Sequence, residues 1–108
     1  QEHYLEEQQK NVENSIRDVV RRVKEAESRL LVLEKSSEVA QRSYDISLER
    51  FNNGEITSQD LALDNNRLTA AKMAHLSAFI NYQLALADLK RKTLWDFRNS
   101  QPLVPYQE

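Results

Sequence analysis

The chain contains no cysteine, a single glycine and only two prolines in 108 residues. Without thiols the redox compartment cannot be read from disulfides, and a helical hairpin needs none. One glycine cannot build a Gly-rich phosphate loop. Both prolines, Pro102 and Pro105, fall near the C-terminus, so nothing upstream forces a helix to break. No apolar run approaches the roughly 18 residues of a membrane-spanning helix, and no signal peptide opens the chain. Neither sign of charge dominates: 15 Lys and Arg stand against 17 Asp and Glu, which gives no basis for nucleic acid or anionic membrane as a partner. Arg17, Arg21, Arg22 and Lys24 do cluster, but Asp18, Glu25 and Glu27 are interleaved, as on a solvated helix face.

Charged residues make up 30% of the chain, the apolar set 40% and aromatics 7%. This is the composition of long helices or coiled coils rather than of a compact core. The length allows one domain at most. Two thin helices bury little surface per residue, so such a chain is expected to pack against other copies or partners.

Heptads run through both arms. Leu5, Val12, Val19, Ala26, Leu33 and Ala40 recur every seven residues, and Ile16, Val23, Leu30, Tyr44 and Phe51 keep the same interval four positions away, with Ser37 the polar interruption. Two such series form the a/d seam of a coiled coil. They predict one helix over about residues 2–52, roughly 75 Å at about 1.5 Å per residue. In the second arm Leu61, Leu68, His75, Tyr82 and Leu89 repeat, with Ala71, Ala78 and Ala85 three positions later. They predict a helix over about 57–97. Alanines on one seam let helix axes approach closely. Phe79 and Leu86 widen the stripe, and Val20, Leu31, Val32, Leu63, Leu76 and Ile80 add further apolar positions. A stripe this broad is expected of a hairpin whose arms touch more than each other.

Between the arms lies Arg50-Phe51-Asn52-Asn53-Gly54-Glu55-Ile56-Thr57-Ser58-Gln59-Asp60-Leu61. Gly54 beside two asparagines is what a helix end requires, since the residue past it often takes a left-handed backbone. Thr57 as N-cap with Asp60 three residues on restarts the helix, and Ile56 and Leu61 are placed for a hydrophobic staple. The expected fold is all-α: a coiled-coil-like antiparallel hairpin with a turn at about 53–56 and an irregular tail over 98–108, because Pro102 disfavours helix just before it. The chain reads as a single hairpin fragment, residues 1–108, of a larger protein.

Catalytic chemistry has no foothold in this pattern. His3 and His75 lie on different arms, there is no HExxH pair, and the carboxylates are spread as surface charges. A seam histidine such as His75 is a packing residue or a polar register device before it is a metal ligand. Asp60 and Asp64 suit the positive end of the helix dipole. No enzyme, cofactor or metal is expected.

The order of motifs resembles the helical hairpin of the TolC-like outer membrane efflux proteins. That family carries Arg-(Phe/Tyr)-x-x-Gly, then Asp-(Leu/Val) opening a helix, matched here by Arg50, Phe51, Gly54, Asp60 and Leu61. Its downstream Leu, Ala-rich stretch and Tyr-x-x-Ala-x-x-x-Leu before a Thr are matched by Leu68, Ala70 and Ala71, Tyr82, Ala85, Leu89 and Thr93. The match covers about residues 40–97; the first forty are generic coiled coil. The resemblance implies a trimeric parent with two homologous halves, anchored in the bacterial outer membrane by a β-barrel, this segment lying in the periplasm as a stave of an export tunnel. It also implies a tip, Phe51, Asn52, Asn53, Gly54, Glu55, Ile56 and Thr57, that docks a periplasmic adaptor of a tripartite efflux system. Two departures stand out. Asn53 and Glu55 replace apolar tip residues, so the contact is expected to be more polar and more sensitive to salt. Leu94-Trp95-Asp96-Phe97 stands where a glycine follows the terminal Thr, a departure that leaves the choice between the two halves open, with the second half the expectation. Alternatives are the coiled-coil hairpin of the adaptor itself and a cytoplasmic coiled-coil module. Read as physics alone, Gly54 is a helix stop and nothing more.

Overall fold

The computed structural model describes the backbone of residues 2–100 and the side chains of residues 4–95. Two α-helices, α1 (Glu2–Asn52) and α2 (Ser58–Ser100), make up an all-α helical hairpin, with no strand among the described residues. None of these helices is long and apolar enough to cross a membrane.

The boundaries follow from backbone chemistry. No proline or glycine occurs inside either helix, so every interior amide can bond to the carbonyl four residues back. Arg50 lies in the last turn of α1 and Asp60 in the first turn of α2, each of the sign that the local helix dipole favours. The second helix continues to Ser100 rather than ending near 97. The weakening apolar pattern around Trp95 does not stop it, because termination depends on backbone constraint. The rest of the expected irregular tail, 101–108, lies outside the described residues, as does the His3 side chain.

Tertiary contacts gather into two units. One is formed by the described parts of 1–26 and 82–108, the other by 27–81. In the first, Val19 is almost wholly buried, and half-buried Val12, Ile16 and Val23 on α1 accompany Tyr82, Ala85 and Leu89 on α2. The Lys92 Nζ donates to Ser15 Oγ at 3.2 Å and Arg22 pairs with Asp88 at 3.8 Å. As the α1 number rises the α2 number falls, so the segments run antiparallel. In the second unit Leu68 and Ala78 are buried, with Leu30, Leu33, Ala40 and Tyr44 half-buried. Ala78 brings no bulk to the seam, which lets the backbones approach. Burying a leucine contributes about 1.5–3 kcal/mol, so Leu68 is a principal apolar anchor of its unit.

Ser47 is the one buried polar side chain among the described residues. It falls seven positions after Ala40 and so continues the first seam series. Its hydroxyl donates to Asp64 Oδ2 on α2, and Asp64 also accepts from Arg67 Nη1 at 3.2 Å. Asp64 therefore reaches across the seam, in addition to any dipole role. A buried hydroxyl left unbonded would cost about 1–3 kcal/mol; here no buried side-chain polar atom among the described residues lacks a partner.

The apolar positions outside the seam divide. Val20 and Leu86 are half-buried, while Leu31, Val32, Leu63, Leu76, Phe79 and Ile80 are exposed. At the seam's two ends Leu5 and Phe51 are also exposed, so burial is concentrated between them.

Candidate functional site

The turn between the helices is built by two interlocking caps. At the end of α1, Gly54 N–H donates to the Phe51 carbonyl at 2.9 Å and Glu55 N–H donates to the Arg50 carbonyl at 2.8 Å. These nested bonds form a Schellman motif, with Gly54 as the left-handed residue that closes it. Its φ is +79°, the only positive φ among the described residues. A Cβ built on Gly54 would meet nothing within 4 Å. The glycine is therefore required by backbone conformation and not by a close neighbour.

Such motifs usually add a hydrophobic contact between the residues that here are Arg50 and Glu55. This chain puts an ion pair there instead, with Arg50 Nε 3.3 Å from Glu55 Oε1. Both side chains are more than half exposed, so the pair contributes about 0–1 kcal/mol and weakens with salt.

The restart is a capping box. Asp60 N–H donates to Thr57 Oγ1 at 3.1 Å, and Thr57 N–H donates to Asp60 Oδ2 at 3.2 Å. Two amides that the helix start would leave unbonded are thereby satisfied, an arrangement in which losing the cap costs about 1 kcal/mol. Ile56 and Leu61, on either side of the box, are half-buried.

Phe51, Asn52, Asn53, Gly54, Glu55 and Thr57 are exposed, and of the predicted tip only Ile56 is half-buried. The fold thus brings these residues together at one turn and leaves their side chains available. Over residues 45–67 five carboxylates, Asp45, Glu49, Glu55, Asp60 and Asp64, stand against Arg50 and Arg67, for a net charge of −3. Behind the turn, the bond from Ser47 to Asp64 braces the two arms. Sequence reasoning missed Ser47, although its place seven residues after Ala40 was the available signal. His75 is half-buried on the second seam, and no group of three His, Cys, Asp or Glu side chains among the described residues could hold a metal ion.

A second concavity occurs in the other unit, where Val12, Ile16 and Trp95 form an apolar floor edged by Asp88, Arg91 and Lys92. Arg91 Nη2 is 3.3 Å from Asp88 Oδ1, and Lys92 is engaged by Ser15. Lys92 and Asp88 thus join the arms, to Ser15 and Arg22, while Arg91 pairs along α2. No protein-family model, no curated protein and no solved structure matches the chain.

Proposed function

We propose that the hairpin is a structural stave of the periplasmic tunnel of a TolC-like outer membrane export channel, and that its turn docks a periplasmic adaptor protein. The stave performs no chemistry and binds no cofactor. In this reading the parent is a trimer in the bacterial outer membrane, and small molecules pass along the tunnel out of the cell.

The observation that carries the docking reading is the construction of the turn. Nested backbone bonds and a reciprocal capping box hold it in one shape, while Asn52, Asn53 and Glu55 remain exposed. A preorganised, solvent-facing turn can bind with little ordering cost. Its surface is polar and acidic, so the adaptor surface it fits is rich in hydrogen-bond donors and cations, and the contact should weaken as salt rises. Exposed apolar residues away from the seam, including Val32, Val39 and Phe79, give a stave surface with which to meet neighbours.

The test uses the full-length protein with its adaptor and pump. Gly54→Pro removes an amide that bonds to Phe51 and locks φ near −65° where the turn needs a positive value. Adaptor crosslinking at positions 52–55 and compound export should both be lost, whereas Leu84→Gln on an exposed helix position should retain both. Export unchanged by Gly54→Pro would overturn docking at the turn. Flanking lipoyl-like β-rich segments in the parent would assign the hairpin to the adaptor instead, and a cytosolic parent would assign it to a coiled-coil interaction module.

A further inference from the structure

The groove in the unit formed by 1–26 and 82–108 joins an apolar floor to an excess of positive charge. Val12 and Ile16 of α1 and Trp95 of α2 make the floor, with Ser15, Asp88, Arg91 and Lys92 around it. Its volume of about 360 Å³ lies at the small end of the roughly 300–1,000 Å³ typical of small-molecule sites. Val12 and Ile16 are half-buried and Trp95 is 60% exposed, so apolar surface faces the opening.

The charges around that floor do not cancel. Asp88 is shared by two guanidiniums, Arg91 at 3.3 Å and Arg22 at 3.8 Å. Lys92 donates to the neutral Ser15 hydroxyl, and among the described residues no carboxylate pairs with its ammonium. Arg22, Arg91 and Lys92 therefore stand against Asp88 alone. Asp18, one turn before Arg22 on α1, is engaged by Arg21 at 3.2 Å. Lys92 is half-buried, and a hydroxyl occupies one of its three donors without neutralising its charge. A cation held in this way beside apolar surface gains most from an anion that also carries hydrocarbon.

We infer that this groove binds a single-chain aliphatic carboxylate, a ligand of the fatty-acid class. The carboxylate sits on Lys92 Nζ, with the Arg91 guanidinium beside it, and the chain lies along Val12, Ile16 and Trp95. Bound so, the head group gives Lys92 the counter-charge that Ser15 cannot supply, and the chain takes exposed apolar surface out of water. The small volume suits one hydrocarbon chain and not the paired chains of a bilayer lipid. The inference does not rest on the stave reading, and the groove lies in the unit that does not contain the turn.

Trp95 is the one tryptophan in the sequence, so its fluorescence reports the floor directly. Dodecanoate, titrated below its micelle concentration into the 108-residue chain, should shift Trp95 emission to the blue and saturate at one molecule per chain. The same acid brominated at the end of its chain should quench the emission, because bromine quenches an indole only near contact. Dodecyltrimethylammonium has the same chain and the opposite charge, and should bind at least about tenfold more weakly, the worth of one charge-assisted hydrogen bond. Lys92→Gln keeps a donor for Ser15 and should weaken dodecanoate binding by about tenfold, whereas Lys35→Gln, in the other unit, should leave it unchanged. Circular dichroism checks that helix is retained, and Arg91→Gln, at an exposed position, reads the head-group contact if Lys92→Gln unfolds the chain. Equal affinity for the two amphiphiles, or absence of quenching by the brominated acid, would overturn the inference. A response to anionic phosphatidylglycerol vesicles with none to free dodecanoate would overturn it in favour of a membrane contact. No adaptor enters these measurements, so their failure leaves the crosslinking test of the turn unaffected.

Discussion

The two contact units of this hairpin hold their arms together by different means. The unit formed by 1–26 and 82–108 buries Val19 and uses long side chains, Arg22, Arg91 and Lys92, to reach Asp88 and Ser15 between or along the arms. The 27–81 unit relies on short ones: Ala78 and Ser47 are buried at the seam, with Ser47 bonded to Asp64. It also contains the turn, where the Schellman motif and capping box satisfy backbone groups at both helix ends. Long charged side chains lose more rotamer freedom when ordered, and exposed pairs return little. Short buried side chains lose little and permit close backbone approach. The difference predicts slower amide exchange in the 27–81 unit than in the other, with local opening beginning at the termini.

Substitutions can break or sharpen this contrast. The largest expected effect is Leu68→Ala, a truncation at a buried position, which should cost roughly 2–4 kcal/mol in urea unfolding. Val19→Ala should cost about 1.5–2 kcal/mol, by the loss of two buried methyl-sized groups. In exchange measurements Val19→Ala should speed amides of 12–26 and 82–92 first, while Leu68→Ala should first affect 40–50 and 61–75. Identical exchange patterns for the two would mean that the units open together and would erase the contrast.

Next comes the turn. Gly54→Ala meets no steric neighbour and should cost about 1–2 kcal/mol from the left-handed backbone alone. Gly54→Asn should cost less, since asparagine tolerates that backbone best among non-glycine residues. An alanine cost near zero would show that the turn relaxes to another conformation. Thr57→Ala should cost about 1 kcal/mol by loss of the cap, and Thr57→Ala/Asp60→Ala should cost less than the sum of the single changes because the two residues bond reciprocally.

The smallest expected effect is at the long-range ion pair. Asp88→Asn should cost about 0–1 kcal/mol, and that cost should fade as salt rises. The corresponding change in the other unit, Asp64→Asn, should cost more and persist in salt, because the Ser47 hydroxyl it serves is buried. Equal salt sensitivity at Asp64 and Asp88 would contradict the distinction between short buried and long exposed linkers.

Much of this could be read before any coordinates. Period-seven apolar series marked both helices, and the one glycine with its asparagines marked the reversal, because these signals are local and backbone-driven. Thr57 and Asp60 were visible for the same reason, since a capping box needs only a spacing of three. Other features depended on what lies opposite. Ser47 was missed in the sequence, because its role depends on Asp64 standing across from it. Leu5 and Phe51 had the right period yet are exposed, since a seam position is buried only where the facing helix covers it. The run of α2 through Trp95 to Ser100 showed that a fading apolar pattern is not by itself a stop.

By itself, then, the sequence determined two helices, their reversal at Gly54 and the chemistry of both caps, because hydrogen bonding and φ preference act over a few residues. The tertiary structure decided which seam positions are truly covered, that Asp64 reaches Ser47, that Arg50 and Glu55 replace the expected apolar contact at the helix end, and which apolar side chains stay bare. Those outcomes belong to pairs of side chains meeting in space, and no residue carries them alone.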